Sequence, residues 1–565
     1  MILDKIIKSN FLSLAVICAL SFCAYSFMLD GSFKSMDDKF SIVENKDIRS
    51  FDNVKKIFTS SFFGGAHYYR PLVTLSFMIE YHFFELNPFY FRLTNLTLHL
   101  LMSATCFFLI FRLTKNRDIA FWTALLFAVH PVNSESVWNI ADRSILLCAL
   151  FSLNAILCFV IFRQDKKIWA MAASYVCFVL GLLAKESAAM VPIILISYCW
   201  LQKDALKRVA GGWIAGYFGF LSGFIILRKI IGITKIYAYD SWDQLVLSFF
   251  AFLRGGLTYL RLFVLPTDLY FDRARRYFEN FADPQIWITL GVYAVLISLL
   301  VYYRKRIDAL VYFFIFWACA ELLPVSQIVT SIGVQSYYIS LAEHFLYSAS
   351  IGVFAVMVIA ARGLYEKNKQ RGWARPTVVR FGVAGAMVFF LLTTVQQNIY
   401  AKYPVEVYKR SIAHNPHNAR VINALGMEYA DRGDYKKAEK YFRQSLDSDP
   451  FREQARVALG KSLADQGRYW EAVQEYEKIK DIEEGSILDV NIALAYDYLI
   501  RDYKKRIQND PHNAQLHYSL GVMLAKSKQY AKAQNAFHKA IELRPDYPEA
   551  RQNLEAVKKL IETHD

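Results

Sequence analysis

LGMEYADRGDYKKAEKYFRQSLDSDP, residues 425–450, is the stretch on which the architecture turns. Leu425, Gly426, Tyr429, Ala438 and Phe442 recur 34 residues later as Leu459, Gly460, Leu463, Ala472 and Tyr476, without the proline that closes the first copy at Pro450. They return as Leu520, Gly521, Leu524, Ala533, Phe537, Ala540 and Pro545. A fixed period of this length is the mark of stacked helical units that cannot bury an apolar face alone. Upstream of about residue 400 the pattern is replaced by long apolar runs, so two unlike parts are expected, 1–400 and 401–565.

The period and residue choice resemble the tetratricopeptide repeat, in which small residues sit where two helices cross, an aromatic fills the gap and a proline ends the second helix. Between the second and third clear copies, the stretch from about Ile487 to Pro511 is too short for a full unit and lacks the glycine. It reads as a degenerate repeat. The stacked copies predict a short superhelix whose concave face is a groove for a polypeptide or, failing that, a lid or spacer.

The chain has 565 residues, 55% of them hydrophobic and 16% aromatic, and a positive mean hydropathy despite its ordinary soluble tail. The apolar content is therefore concentrated upstream, in about eleven stretches of ~17–25 residues, enough to cross a hydrocarbon core as helices. These lie near 11–29, 90–111, 119–134, 144–162, 168–184, 187–202, 211–230, 285–303, 309–327, 345–361 and 379–397. The segment 245–265 is also long enough, but it carries Arg254, Gly255, Gly256 and Arg261. If it does not cross, the basic loops at Arg112–Arg117, Arg163–Lys167, Lys203–Arg208, Arg304–Arg306 and Arg362–Arg380 all join Lys5 and Lys8 on one side. The positive-inside rule makes that side cytoplasmic. A re-entrant or interfacial element is thus expected at 245–265, with the C-terminal repeats extracytoplasmic: in periplasm, cell exterior or endoplasmic reticulum lumen.

These loops also explain the net charge of +15, and no nucleic-acid motif competes with them. The eight cysteines sit in or beside apolar runs without metal-ligand spacing and read as small core residues. The first apolar run, about 19 residues with no small-x-small cleavage pattern before Asp30, reads as an uncleaved anchor.

Chemistry is expected on the outer loops. Asp37 and Asp38 follow the first run; His67-Tyr68-Tyr69-Arg70-Pro71-Leu72 precedes the second. The block His130 to Arg143 contains Glu135, Trp138 and Asp142; Lys185-Glu186 and Ala342-Glu343-His344 fall on the same side. Charges this close to apolar spans are costly unless paired or lining a polar cavity. A carboxylate can take a proton from a hydroxyl acceptor, and Arg or Lys can stabilise a departing phosphate. The abundant aromatics read as packing and interfacial anchors, with sugar contact assigned to no single one and Trp138, inside the 130–143 block, the one to test for it.

The order of these motifs, ending in tetratricopeptide repeats, resembles the transmembrane and tetratricopeptide repeat-containing (TMTC-like) protein O-mannosyltransferases. The resemblance covers nearly the whole chain, including Gln397-Asn398 and the amphipathic stretch Tyr400 to Asn418. It implies an all-α, GT-C-type polytopic bundle, a polyprenyl-phosphate sugar as donor, a protein hydroxyl as acceptor, and inversion at the anomeric carbon. It makes Asp38, or else Asp37, the base, and puts Arg70, His130, Glu135, Arg143, Lys185, Glu186, Glu343 and His344 on the donor side. The chain departs from the family at His344, where arginine is usual, leaving a phosphate role there open to a partner such as Arg273, Arg275 or Arg276. Those three arginines break the positive-inside pattern, so they face donor phosphate or lipid headgroups, or else the placement of 245–265 is wrong. No cofactor is implied, and a divalent ion on Asp37–Asp38 is the less favoured reading. A non-catalytic scaffold that recruits envelope or secreted proteins, or a flippase, are the other classes compatible with the pattern.

Overall fold

The computed structural model describes residues 2–62, 68–202, 208–233, 239, 241–329, 338–371, 376–479 and 487–564. Two compact units divide the chain, Met1–Pro416 and His417–Asp565. Both are built of helices, as expected. Among the described residues the one sheet is an antiparallel pair, Ala274–Arg276 against Tyr338–Ser340.

Among the described residues of the first unit, eight helices are long and apolar enough to cross a membrane: Asn10–Met28, Pro88–Thr114, Ile140–Asp165, Gly211–Ile230, Trp242–Val264, Pro284–Tyr302, Glu343–Gln370 and Thr377–Ala401. Ile168–Ala184, Glu186–Leu201 and Ala309–Val325 are apolar but shorter. The protein is a multi-pass membrane protein. Polar punctuation sets the helix limits: Asn87 and Asn116 cap Pro88–Thr114 and Arg117–Val129 with their side-chain oxygens, satisfying free N–H groups of the first turn. Left-handed Lys115 and Lys166 end two helices where the chain reverses.

The basic loops meet at one end of this bundle. Arg112 pairs with Asp165 at 2.8 Å, Arg362 with Asp118 at 2.9 Å, and Arg117 donates to the Lys8 carbonyl at 2.6 Å. Lys203 and Lys207 lie outside the described residues. The long helix Pro88–Thr114 carries Arg112 at this end and Arg92 and Asn95 toward the other.

Helix Trp242–Val264 is unbroken, which removes the re-entrant alternative for 245–265. Its two flanks engage one and the same connection, 323–345: Tyr239 donates to Gln327 Oε1 at 3.1 Å, and Ala274–Arg276 pairs with Tyr338–Ser340. A helix of 23 residues is about 34 Å long, so a straight crossing would part its flanks by the full hydrocarbon thickness. One stripe, including Leu247, Ala251, Phe252, Tyr259 and Leu262, is buried while Trp242 and Val264 are exposed. The same helix is long and apolar enough to cross, so crossing and lying at the interface are the two placements left for 245–265. Arg117–Val129 is a further apolar helix of 13 residues; among the described residues eight helices are long enough to cross, and this one, Ile168–Ala184, Glu186–Leu201 and Ala309–Val325 are shorter, against about eleven crossings expected from the sequence.

The second unit pairs Ala419–Asp431 with Tyr435–Ser448, Glu453–Asp465 with Tyr469–Tyr476, and Ala514–Lys526 with Tyr530–Leu543. The repeated glycine is a close-approach residue. A Cβ on Gly426 or Gly521 would stand 2.6 or 2.7 Å from the ring of Phe442 or Phe537, inside any real contact distance. The degenerate repeat is reduced to a single helix, Ile487–Asn509, whose Tyr496, Leu499 and Ile500 join Leu520, Met523 and Leu524 in one core. Pro548–His564 closes the stack with Leu554 and Val557.

Candidate functional site

At the end of the first unit opposite the basic loops, Asp38 is 1% exposed. Its Oδ2 accepts the Lys34 backbone N–H at 3.1 Å and its Oδ1 accepts the Ala141 N–H at 3.0 Å. The Lys34 ammonium lies 3.4 Å from the same carboxylate and 4.6 Å from the centre of the Trp138 ring. A buried carboxylate is tolerable only with such partners. Burial pushes the Lys34 pKa down, opposed by the charge of Asp38. Asp37 is half-buried, and its backbone carbonyl accepts the Ser41 hydroxyl. Asp38, of the two, is the carboxylate tied to the 130–143 block.

Within that block His130 and Arg143, expected on the donor side, have their polar atoms bonded to the protein itself. His130 is fully buried; its Nδ1 accepts the Val132 N–H at 3.2 Å, which leaves Nε2 to donate to the Phe263 carbonyl at 3.1 Å. Its ring packs among Phe263, Phe354 and Phe390. Arg143, also 0% exposed, gives Nε to Asn95, Nη1 to Ser76, Nη2 to the Phe91 carbonyl at 2.8 Å, and an ion pair to Glu80 at 3.0 Å. Every nitrogen of its fork is committed to protein.

Glu135, Asp142 and His344 converge from two loops. His344 Nδ1 lies 2.8 Å from Glu135 Oε1 and 3.6 Å from Asp142 Oδ2, and Asn139 donates to the same Asp142 oxygen at 2.9 Å. The Glu135 pKa is pushed up, first by burial and then by the charge of Asp272. Glu343 points instead to Arg273 Nη2 at 2.9 Å and accepts the Tyr270 N–H at 3.0 Å. Arg273 is thereby held by Glu343, by Asp268 at 3.6 Å and over the Tyr270 ring. Arg276 pairs with Glu279. Of the three arginines considered for the position beside Glu343, Arg273 takes that place and pairs with the glutamate.

Arg70 bridges toward the next loop: Nη1 reaches Ser144 Oγ at 3.4 Å, and Nη2 lies 3.5 Å from Glu186 Oε2. Tyr68 stacks under its guanidinium at 4.5 Å; His67 lies outside the described residues. Burial, then the nearby Arg70 charge, pulls the Lys185 pKa down to about 8. The fields of Asp142 and Glu186 reach the same ammonium. Arg70 and Lys185 are the cations of this loop region that an anion would meet.

Sequence reading missed Lys34, Arg92 and Asn95. Arg92 donates to the carbonyls of Trp138 at 3.1 Å and Ser32 at 2.7 Å, and Asn95 to those of Val137 and Asn139. The signal for both was present: each interrupts an otherwise apolar span and so had to find partners inside the bundle.

Fold and site together define a polytopic helical membrane protein with a tetratricopeptide-repeat tail. Models of the tetratricopeptide repeat match residues 423–486 and 514–547. Protein O-mannosyl-transferase TMTC3 of Mus musculus is 23% identical over 96% of this chain and 65% of its own length. Protein O-mannosyl-transferase F38B6.6 of Caenorhabditis elegans is 26% identical over 76% of this chain and 62% of its own. Over a shorter stretch, 25% of this chain and 17% of the relative, Protein O-mannosyl-transferase TMTC1 of Homo sapiens is 39% identical. Among solved structures, the peptide-binding tetratricopeptide-repeat protein YrrB is 18% identical, covering 34% of this chain and 96% of its own, with a TM-score of 0.17. Along most of its length the chain is similar to proteins named protein O-mannosyl-transferases, and it spans less than two thirds of the length of these curated relatives.

Proposed function

We propose that the protein is a membrane glycosyltransferase that moves a sugar, mannose or a related hexose, from a polyprenyl-phosphate donor to hydroxyl groups of a protein acceptor. The observation that carries this reading is that one segment, 141–144, joins the chemistry: the Ala141 N–H pins the buried Asp38 carboxylate, the field of Asp142 reaches Lys185, and Ser144 meets Arg70. The names borne by relatives along most of the chain agree with it.

Asp38 uses two of its lone pairs on backbone N–H groups and keeps others for a hydroxyl proton. As the acceptor oxygen loses that proton to Asp38, it attacks the anomeric carbon from the face opposite the phosphate. The bond from that carbon to the phosphate oxygen breaks, its electron pair leaves with the polyprenyl phosphate, and the configuration inverts. Arg70, oriented by Glu186, and Lys185 hold the departing phosphate. Glu135, Glu343 and His344 shape the donor pocket, while His130 and Arg143 hold the loops that form it. The repeat groove presents the polypeptide acceptor, and the positive-inside pattern puts the site and repeats on the extracytoplasmic side.

The test uses purified protein in liposomes with labelled polyprenyl-phosphate mannose and a Ser/Thr-rich peptide library, comparing the parent with Asp38→Asn. Label on peptide with the parent alone supports the reading and the role of Asp38. Failure of the parent even to bind the donor overturns it in favour of a scaffold.

A further inference from the structure

The Glu135, Asp142 and His344 side chains form a cluster with its own chemistry. Their ligand atoms, two carboxylate oxygens and one imidazole nitrogen, all lie within 4.8 Å of one another. Ligands at about 2.1 Å from a shared ion stand roughly 3–4 Å apart, so rotamer adjustment alone brings the three onto one centre. Glu135 is 3% and Asp142 8% exposed. Glu135 Oε1 meets His344, but its other oxygen, Oε2, is buried without a hydrogen-bond partner. Being bonded to the same carbon, Oε2 sits at the edge of the cluster with a lone pair unspent. An orphaned carboxylate oxygen in the interior is costly and calls for a positive partner. Lys34 and Arg273 are bound elsewhere, to Asp38 and Glu343.

We propose that Glu135, Asp142 and His344 bind one divalent transition-metal cation, of the Mn²⁺ or Zn²⁺ type. The imidazole nitrogen selects such ions over Mg²⁺ and Ca²⁺, which take oxygen ligands. Three protein ligands leave coordination positions open, and on the reading of function above these face the donor phosphate. His344 is the residue that makes the site: an arginine there would ion-pair with the carboxylates but has no lone pair to give a metal.

The test is metal binding itself, read without any sugar donor, so its failure is separate from failure of the transferase reading. Full-length protein in detergent is stripped with chelator, dialysed against Mn²⁺ or Zn²⁺ and assayed for bound metal, beside His344→Arg and Asp142→Asn. The expected result is one ion per parent chain, Mg²⁺ in large excess failing to displace it, and at least tenfold weaker binding in both variants. His344→Arg sets a cation against the two carboxylates in place of the metal, so it remains informative if Asp142→Asn does not fold. No stoichiometric metal on the parent, or equal metal on His344→Arg, overturns the proposal.

Discussion

Replacing Arg143 with lysine separates two roles that sequence could not. A donor-binding arginine would be lost with little effect on the fold. The Arg143 described here spans Asn95, Ser76, the Phe91 carbonyl and Glu80, joining the starts of Arg143–Asp165 and Pro88–Thr114 to the helix Pro71–Phe84. Lysine offers one compact ammonium that cannot reach four partners on separate elements. Neither Glu80 oxygen has a hydrogen-bond partner, so the Arg143 charge is what offsets its burial. Breaking such a buried pair costs about 3–5 kcal/mol. Arg143→Leu should reach that full cost, and Arg143→Lys a substantial part of it. The assay is thermal unfolding of detergent-purified protein, followed by fluorescence and by the monodisperse fraction surviving heating. Both variants should lose apparent melting temperature, Leu more than Lys, and Glu80→Gln with Arg143→Leu should recover part of the loss. Parental stability in Arg143→Lys with impaired donor binding would refute the framework assignment.

In the tail, Gly521→Ala should drive a methyl into the Phe537 ring and cost about 1–3 kcal/mol, seen as faster proteolysis of 417–565 in the full-length protein. Lys185 should hold an anion only while protonated. Burial having lowered its pKa to about 8, affinity for polyprenyl phosphate should fall as pH rises through that value, and Lys185→Met should abolish this limb of the profile. Cysteines introduced at Ser241 and Thr267, on the two flanks of Trp242–Val264, should react with an impermeant maleimide from the same side of sealed vesicles. Labelling from opposite sides would mean that this helix crosses.

The repeats were legible because their signal is local: glycine and aromatic lie 16 residues apart, Gly426 to Phe442 and Gly521 to Phe537, and must touch. Apolar run length likewise carried the membrane unit. The site was legible as a set of loops but not as a set of contacts, because its partners are distant in sequence. His344 meets Glu135 across 209 positions, and His130 meets Phe263 across 133. A charged residue at a span end reads the same whether it will hold substrate or its own scaffold; Arg143 and Arg70 differ only in where their partners fall. The arginine run at 273–276 resisted topology rules for a related reason. Its Arg273 is neutralised by Glu343, 70 residues away, so charge counting by loop overstates it.

The short helix Pro404–His414 belongs to the membrane unit, and its attachment has a mechanical meaning. Ser411 donates to the Phe271 carbonyl at 2.8 Å, Asn415 to that of Ala274 at 3.3 Å, and His414 stacks on Tyr270 at 4.7 Å. Tyr270 in turn donates its backbone N–H to Glu343. Any tension carried along the chain from the repeats enters the membrane unit through this rivet, and the first polar group behind it is the neighbour of His344. Pulling on the chain beyond His414 would therefore load the segment 270–274, beside Glu343, together with the span Thr377–Ala401, which Arg410 reaches through Gln397.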